Sequence, residues 1–155
     1  MHLEIIPFDK KYSRDFYNLN IEWLQTFFYV EPYDEEVLSY PEKYIINKGG
    51  YIFFAILDNI IVGTYALMPL PKQDAFELTK MAVSPEFRGQ KIGQKLIEHC
   101  IAFARTEQFN RLLLYSSRKL ENAIYLYRKF GFAEIEVEDN CPYKRCDIKM
   151  EYLGL

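Results

Sequence analysis

A chain of 155 residues, half of them hydrophobic and 17% aromatic, suits one domain with one sizeable core and is not the composition of a disordered segment. Its formal net charge of −3, from 19 basic and 22 acidic side chains, argues against a general nucleic-acid binder, which carries a basic excess. No apolar run approaches the roughly 20 residues of a membrane span, and "MHLEIIPFDKK" lacks the basic start and long apolar stretch of a signal peptide.

In "KKYSRDFYNLNIEWLQTFF", residues Tyr12, Phe16, Leu19, Trp23 and Phe27 recur at helical steps and predict one buried helix face. A short helix follows in "EPYDEEVLSYP", where Asp34 can cap and Pro41 either ends it or opens the next. "PEKYIINKGG" stops on glycines. From Tyr51 the pattern turns to strands: "YIFFAIL" and "IIVGTYAL" flank "DN", a tight hairpin turn, and "FELTKMAV" comes after a loop read as "MPLPKQDA". The helix after the next loop places Ile92, Leu96, Cys100 and Phe103 on one face, widened by Ile97, Ile101 and Ala104. "RLLLYS" is apolar enough for a central strand. "SRKLENAIYLYRKF" is amphipathic and ends at Gly131, a left-handed cap position. "FAEIEVE" and "CDIKMEYL" close the chain as a paired hairpin. Residues 1–155 thus read as a single mixed α/β domain, in the order helices, three strands, helix, strand, helix, two strands. The central strand–helix–strand unit requires a parallel pair.

The cysteines, Cys100, Cys141 and Cys146, are sparse and odd in number, which predicts reduced thiols and a cytoplasmic location. Zinc wants about four ligands, and beyond the cysteines only His2 and His99 could help, so no metal is expected.

Ahead of the fourth helix stands "SPEFRGQKIG". A helix N-terminus presents unpaired N–H groups and the positive end of the macrodipole, where an anion settles. Gly89 allows close backbone approach, Gly93 close packing in the first turn, and Arg88 and Lys91 add positive charge. Neither G-x-x-x-x-G-K-[ST] nor G-x-G-x-x-G is present. Taken alone, "RGQKIG" reads equally as a capped polar turn or an anion site.

Together, "KMAVSPEFRGQKIGQKLIEHCIAFA" and "AIYLYRKFGF" (residues 123–132) resemble motifs A and B of the GNAT superfamily of N-acetyltransferases, in the right order and with "RLLLYS" between them. The resemblance covers about residues 50–151. It implies a GNAT-like fold, a mostly antiparallel central sheet with one parallel pair flanked by helices. It also implies acetyl-coenzyme A as cosubstrate, with its pyrophosphate on the backbone of Arg88, Gly89, Gln90, Lys91, Ile92 and Gly93 and its pantetheine arm along Met81, Ala82 and Val83. Lys91 stands where the motif has its first glycine; a helix already begun there would accept it without strain. The motif-B asparagine slot holds Leu120, with Asn122 as a displaced candidate for cofactor contact.

By the same resemblance, acetyl passes directly to a primary amine of a small molecule or peptide in a ternary complex. The chemistry needs a neutral amine, a stabilised oxyanion and a proton for the departing thiolate. Tyr127 matches the family's thiolate-protonating tyrosine; without the motif it reads as a core tyrosine. Glu77, on the opposite strand face from Phe76 and Leu78, is the candidate base, or else a solvent-facing carboxylate. For the acceptor, Trp23, Phe27 and Glu31 belong to an aromatic and acidic stretch whose rim would attract a cation, or else its aromatics fill the core and its acidic residues open helices. Tyr143, Arg145 and Asp147 are expected to alternate along the last strand and share a face. Cys100 reads as core, which disfavours a covalent route. The rival is a non-catalytic acyl-coenzyme-A sensor or interaction module of the same fold. No membrane or nucleic-acid partner is expected, and a homodimer stays open.

Overall fold

A computed structural model describes residues 2–139, 141 and 144–155. One seven-stranded sheet runs in the order β1-β2-β3-β4-β5-β7-β6. Its strands are β1 (Leu3–Pro7), β2 (Tyr51–Leu57), β3 (Ile60–Leu70), β4 (Ala75–Val83), β5 (Leu112–Ser116), β6 (Phe132–Ile135) and β7 (Ile148–Tyr152). Every neighbouring pair is antiparallel except β4 and β5. Helices α1 (Ser13–Phe27), α2 (Pro32–Ser39) and α3 (Pro41–Tyr44) cover one face, burying Phe16, Leu24, Val37, Leu38 and Ile45 against Ile52 and Phe54. Helix α4 (Ile92–Thr106) packs on the other face through Ile92, Leu96, Ile97, Cys100 and Ile101. Helix α5 (Glu121–Lys129) contacts β6. Among the described residues no helix is long and apolar enough to cross a membrane.

The mixed sheet, its parallel pair and the α4 face match expectation. Asp58 and Asn59, at φ 48° and 69°, make the hairpin turn with both central residues left-handed. Gly131, at φ 105°, ends α5 as a left-handed cap.

Four expectations are corrected. Strand β1 precedes the helices: "LEIIP" adds to the edge of β2, with Leu3 and Ile5 against one core and Ile6 against the other. The segment read as the loop "MPLPKQDA" is instead the end of β3 and one 3₁₀ turn, Pro71–Gln73, closed by Asp74 at φ 53°. Pro69 is tolerated inside β3. The buried stripe of α1 is Phe16, Asn20 and Leu24, so the face is rotated from the apolar one. Asn20 pays no desolvation penalty because its amide donates to the Phe16 carbonyl at 3.0 Å, and Phe27 is left exposed. Finally, β7 begins only at Ile148, so Arg145 and Asp147 lie in the preceding turn and do not alternate on a strand, and Tyr143 lies outside the described residues.

The feature that makes room for a site is a bulge in β4. Thr64 pairs with Ala82 and Ala66 with Thr79, so Tyr65 opposes two residues, Lys80 and Met81, and Lys80 sits at φ 57°. A bulge bends its strand. β4 pairs with β5 only from Phe76 to Leu78. Beyond that, Thr79–Val83 and Tyr115–Ser117 border a gap.

Candidate active site

The gap between β4 and β5 opens into a cleft of about 340 Å³. Strand β4 forms one wall, including Glu77, Met81, Ala82 and Val83; Leu114–Ser117 form the other. Gly93 and Ile97 of α4 and Leu126 and Tyr127 of α5 close one side, and Asn20, Trp23, Phe27 and Asp34 the other.

The anion loop has the expected context, with one correction. Helix α4 starts at Ile92, not before Lys91; Lys91 is its N-cap, in the left-handed region at φ 63° and ψ 20°. No side chain caps the helix and its first turn carries no acidic residue, so its leading N–H groups suit an anion. Gly89, at φ 85°, needs to be glycine for its backbone. The Gly93 expectation of tight packing is overturned: beyond its chain neighbours and the backbone of its own helix, no atom lies within 4 Å of where its Cβ would stand, and it lines the cleft. A cradle kept clear of side chains, in front of an uncapped helix, fits a pyrophosphate. Replacing Lys91 with glycine relieves a left-handed non-glycine residue, a strain of about 1–2 kcal/mol partly offset by a looser unfolded chain. Lys91→Gly is therefore expected to raise thermal stability slightly while coenzyme A affinity, measured by titration, changes less than about threefold if backbone groups do the holding.

Other candidate residues fall as follows. Arg88 lines the cleft, but its guanidinium pairs with Glu22 of α1 at 2.6 Å and lies 5.6 Å from the Phe27 ring centre. Lys119 likewise reaches α1, donating to the Phe27 carbonyl at 2.6 Å and lying 4.0 Å from the Phe28 ring centre. The two contacts tie the C-terminal half of α1 across the cleft. Gly89, Gln90 and Lys91 are exposed on the turn, and Ile92 is buried in the core beneath it. Asn122 is exposed on α5 and does not line the cleft; Leu120, in the motif's asparagine slot, does line it.

The acidic rim is corrected too. Glu31 and Asp34 form the capping box of α2 and are both paired with Arg145, at 3.0 Å and 2.9 Å. Glu35 accepts from the Tyr17 hydroxyl at 2.8 Å. Arg145 lines the cleft beside Trp23 and Phe27, whereas Glu31 only holds Arg145. The thiol expectation fails in part: Cys141 and Cys146 are joined as a disulfide that brackets Arg145. Cys100 is fully buried and burial pushes its thiol up, which removes the thiolate a nucleophile needs. His99 is half-buried, its Nδ1 hydrogen-bonded to the Tyr65 hydroxyl at 2.7 Å, and His2 bonds to Glu4 at the surface.

Glu77 is 6% exposed. Burial pushes its carboxyl up from 4.5 to about 7, against the opposing pull of Lys80 and the Thr79 hydroxyl. Burial lowers Lys80, while Glu77 and Asp34 draw it back. Tyr127 is half-buried, packed edge-on to Phe132 at 5.9 Å, and burial raises its phenol to about 12. A carboxyl poised near neutrality and a phenol that stays protonated thus border the same cleft. Sequence reasoning missed Lys80, whose left-handed backbone belongs to the bulge, and the polar group Gln73, Tyr115, Glu138 and Lys149, gathered from four separate segments.

Residues 15–132 match the model of the acetyltransferase (GNAT) family, and the chain belongs to that family. It is 29% identical over 105 residues to a probable N-acetyltransferase camello of Xenopus tropicalis, covering 67% of this chain and 48% of that protein; the chain thus spans about half that relative's length. The fold superposes on an acetyltransferase of the GNAT family from Staphylococcus aureus Mu50 with a TM-score of 0.84 and 24% identity, covering 97% and 98% of the two chains. It also matches a PaiA N-acetyltransferase from Thermoplasma acidophilum, solved in complex with coenzyme A, at a TM-score of 0.75 and 20% identity over 97% and 98% of the chains.

Proposed function

We propose that this chain transfers an acetyl group from acetyl-coenzyme A to a primary amine of a small molecule or peptide, by direct attack within a ternary complex. The observation that carries the reading is Glu77: a buried carboxyl raised to about 7 on the wall of a cleft that Tyr127 also lines. When bound, acetyl-coenzyme A supplies an activated thioester. The N–H groups opening α4, with Gly89 and Gly93, suit its pyrophosphate, and the edge of β4 that β5 leaves unpaired at Met81–Val83 suits its amide-bearing arm. Glu77 takes the proton that an ammonium, with pKa near about 10, must shed before it attacks. Tyr127 holds a proton at its hydroxyl through the neutral range and gives it to the departing thiolate.

Tyr127→Phe is expected to lower kcat about 100-fold, with little change in KM for acetyl-coenzyme A, in an assay of coenzyme A release over a panel of amines, polyamines and peptide N-termini. Unchanged turnover would remove the acid role. Tight binding of acetyl-coenzyme A with no release on any amine would leave the sensor reading in its place.

A further inference from the structure

Glu77 borders a second space as well. On the same sheet face, an open groove of about 840 Å³ runs from the β3–β4 turn to β7, lined by Gln73, Glu77, Tyr115, Glu138 and Lys149. A single buried carboxylate therefore stands between cleft and groove. We propose that the groove holds the acceptor, and that the acceptor is an amino-carboxylate: its amine at Glu77, its acid group on the ammonium of Lys149. The proposal rests on the transfer reading above for the amine's fate, but not for its binding.

Lys149 is the informative residue. It lies on β7, between β5 and β6, paired in register with Tyr115, and is only 5% exposed. Its ammonium donates to the Gln73 side-chain oxygen at 2.5 Å and stands 3.2 Å from Glu138 Oε1. Burying an ammonium costs several kcal/mol unless it is well paired, and this pairing is lopsided. Glu138 Oε2 accepts from Tyr115 at 2.6 Å, from Gln73 at 3.2 Å and, at 3.5 Å, from Lys149, while the nearer oxygen, Oε1, is buried without an aligned hydrogen bond. The lysine is fixed by the sheet, whereas Glu138 sits beyond the end of β6 with its side chain about a third exposed. The replaceable member of the pair is the carboxylate, and a ligand carboxylate satisfies the same ammonium.

Charges of both signs line the groove: Glu77, Glu136 and Glu138, with Lys72 and Lys149. A polycation would meet the buried Lys149 ammonium at the groove's floor, and a plain alkylamine would leave it unused. A molecule with one charge of each sign complements both ends.

The test compares glycine, β-alanine, γ-aminobutyrate and lysine with their amides, which keep the amine and lose the acid, and with spermidine. Coenzyme A release should favour the free acids about tenfold or more in kcat/KM, the worth of one charge-assisted hydrogen bond. Glu138→Gln removes the competing carboxylate and should raise kcat/KM for the acids about threefold or more without helping the amides. Lys149→Met should abolish the preference; Glu138→Gln keeps the proposal falsifiable if that variant does not fold. Equal use of acids and amides, or spermidine as the best acceptor with Glu138→Gln slowing it, overturns the proposal. Should no amine be acetylated, thermal protection of the coenzyme-A-bound protein by the amino acids decides: protection lost in Lys149→Met upholds the groove and sinks the transfer reading, and no protection overturns both.

Discussion

Glu77→Gln lowers kcat/KM for amine acetylation about 100-fold or more at pH 8, the usual scale for losing a general base, and makes the protein more stable at the same time. Both effects come from burial. The wild-type carboxyl has a folded value of about 7 against an ordinary 4.5. Because the folded value is the higher one, the proton is held more tightly in the folded state. The ionised side chain costs the fold nothing below pH 4.5. The cost grows as pH rises from 4.5 to about 7 and is constant above that. Glutamine cannot ionise, so the variant should gain about 1–3 kcal/mol relative to wild type at pH 8 and little or nothing at pH 4. Activity runs the other way: kcat/KM of the wild type should climb through pH 7 as Glu77 loses its proton, and the variant should lack that limb. Denaturant melts at the two pH values and a pH–rate profile check both halves. A wild-type rate flat across pH 6 to 8, or a variant less stable at pH 8, would contradict the assignment.

The largest loss of stability is expected at Arg145. Its guanidinium donates to both oxygens of Asp34, at 3.0 and 2.9 Å, and to Glu31 at 3.0 Å. The Asp34 side chain is 1% exposed and that of Glu31 13%. Removing one partner of a buried pair strands the other's charge, at about 3–5 kcal/mol. Arg145→Ala should lower the melting temperature by about 6–20 °C for a chain of this size. Replacing all three groups together, as Glu31→Gln, Asp34→Asn and Arg145→Met, should cost less than the single change, since no charge is left behind. Thermal melts of both proteins test this; a single variant within about 1 kcal/mol of wild type would mean the pair behaves as an exposed one.

What the sequence made legible follows how local each signal is. Helix α4, the α5 cap at Gly131 and the Asp58–Asn59 hairpin carry their reasons within a few residues. Motifs A and B were readable because strand, turn and helix are contiguous there. The misses are long-range. "LEIIP" is a strand only because β2 offers it an edge. The α1 face rotated because one buried amide, Asn20, can satisfy itself inside its own helix. Arg88 was read from its charge and its motif and Arg145 from alternation along a strand, yet their partners, Glu22 and Asp34, lie 66 and 111 residues away, and no spacing rule reaches that far. Glu77 was recognised as a candidate, but its burial and its place between two spaces depend on β5, β7 and the 136–138 segment converging on it.

The extra residue in β4 also divides that strand into two phases. Before Lys80 the even-numbered side chains, Phe76 and Leu78, pack into the α4-side core; after it the odd-numbered ones, Met81 and Val83, do so. Glu77 and Met81, though both odd, therefore point to opposite sides of the sheet. No substitution at Lys80 can alter that arithmetic, but the loss of a single residue would. Chain length at this one point, more than the identity of the residue there, keeps Glu77 on the face where the groove meets the cleft while the wall beyond it stays apolar.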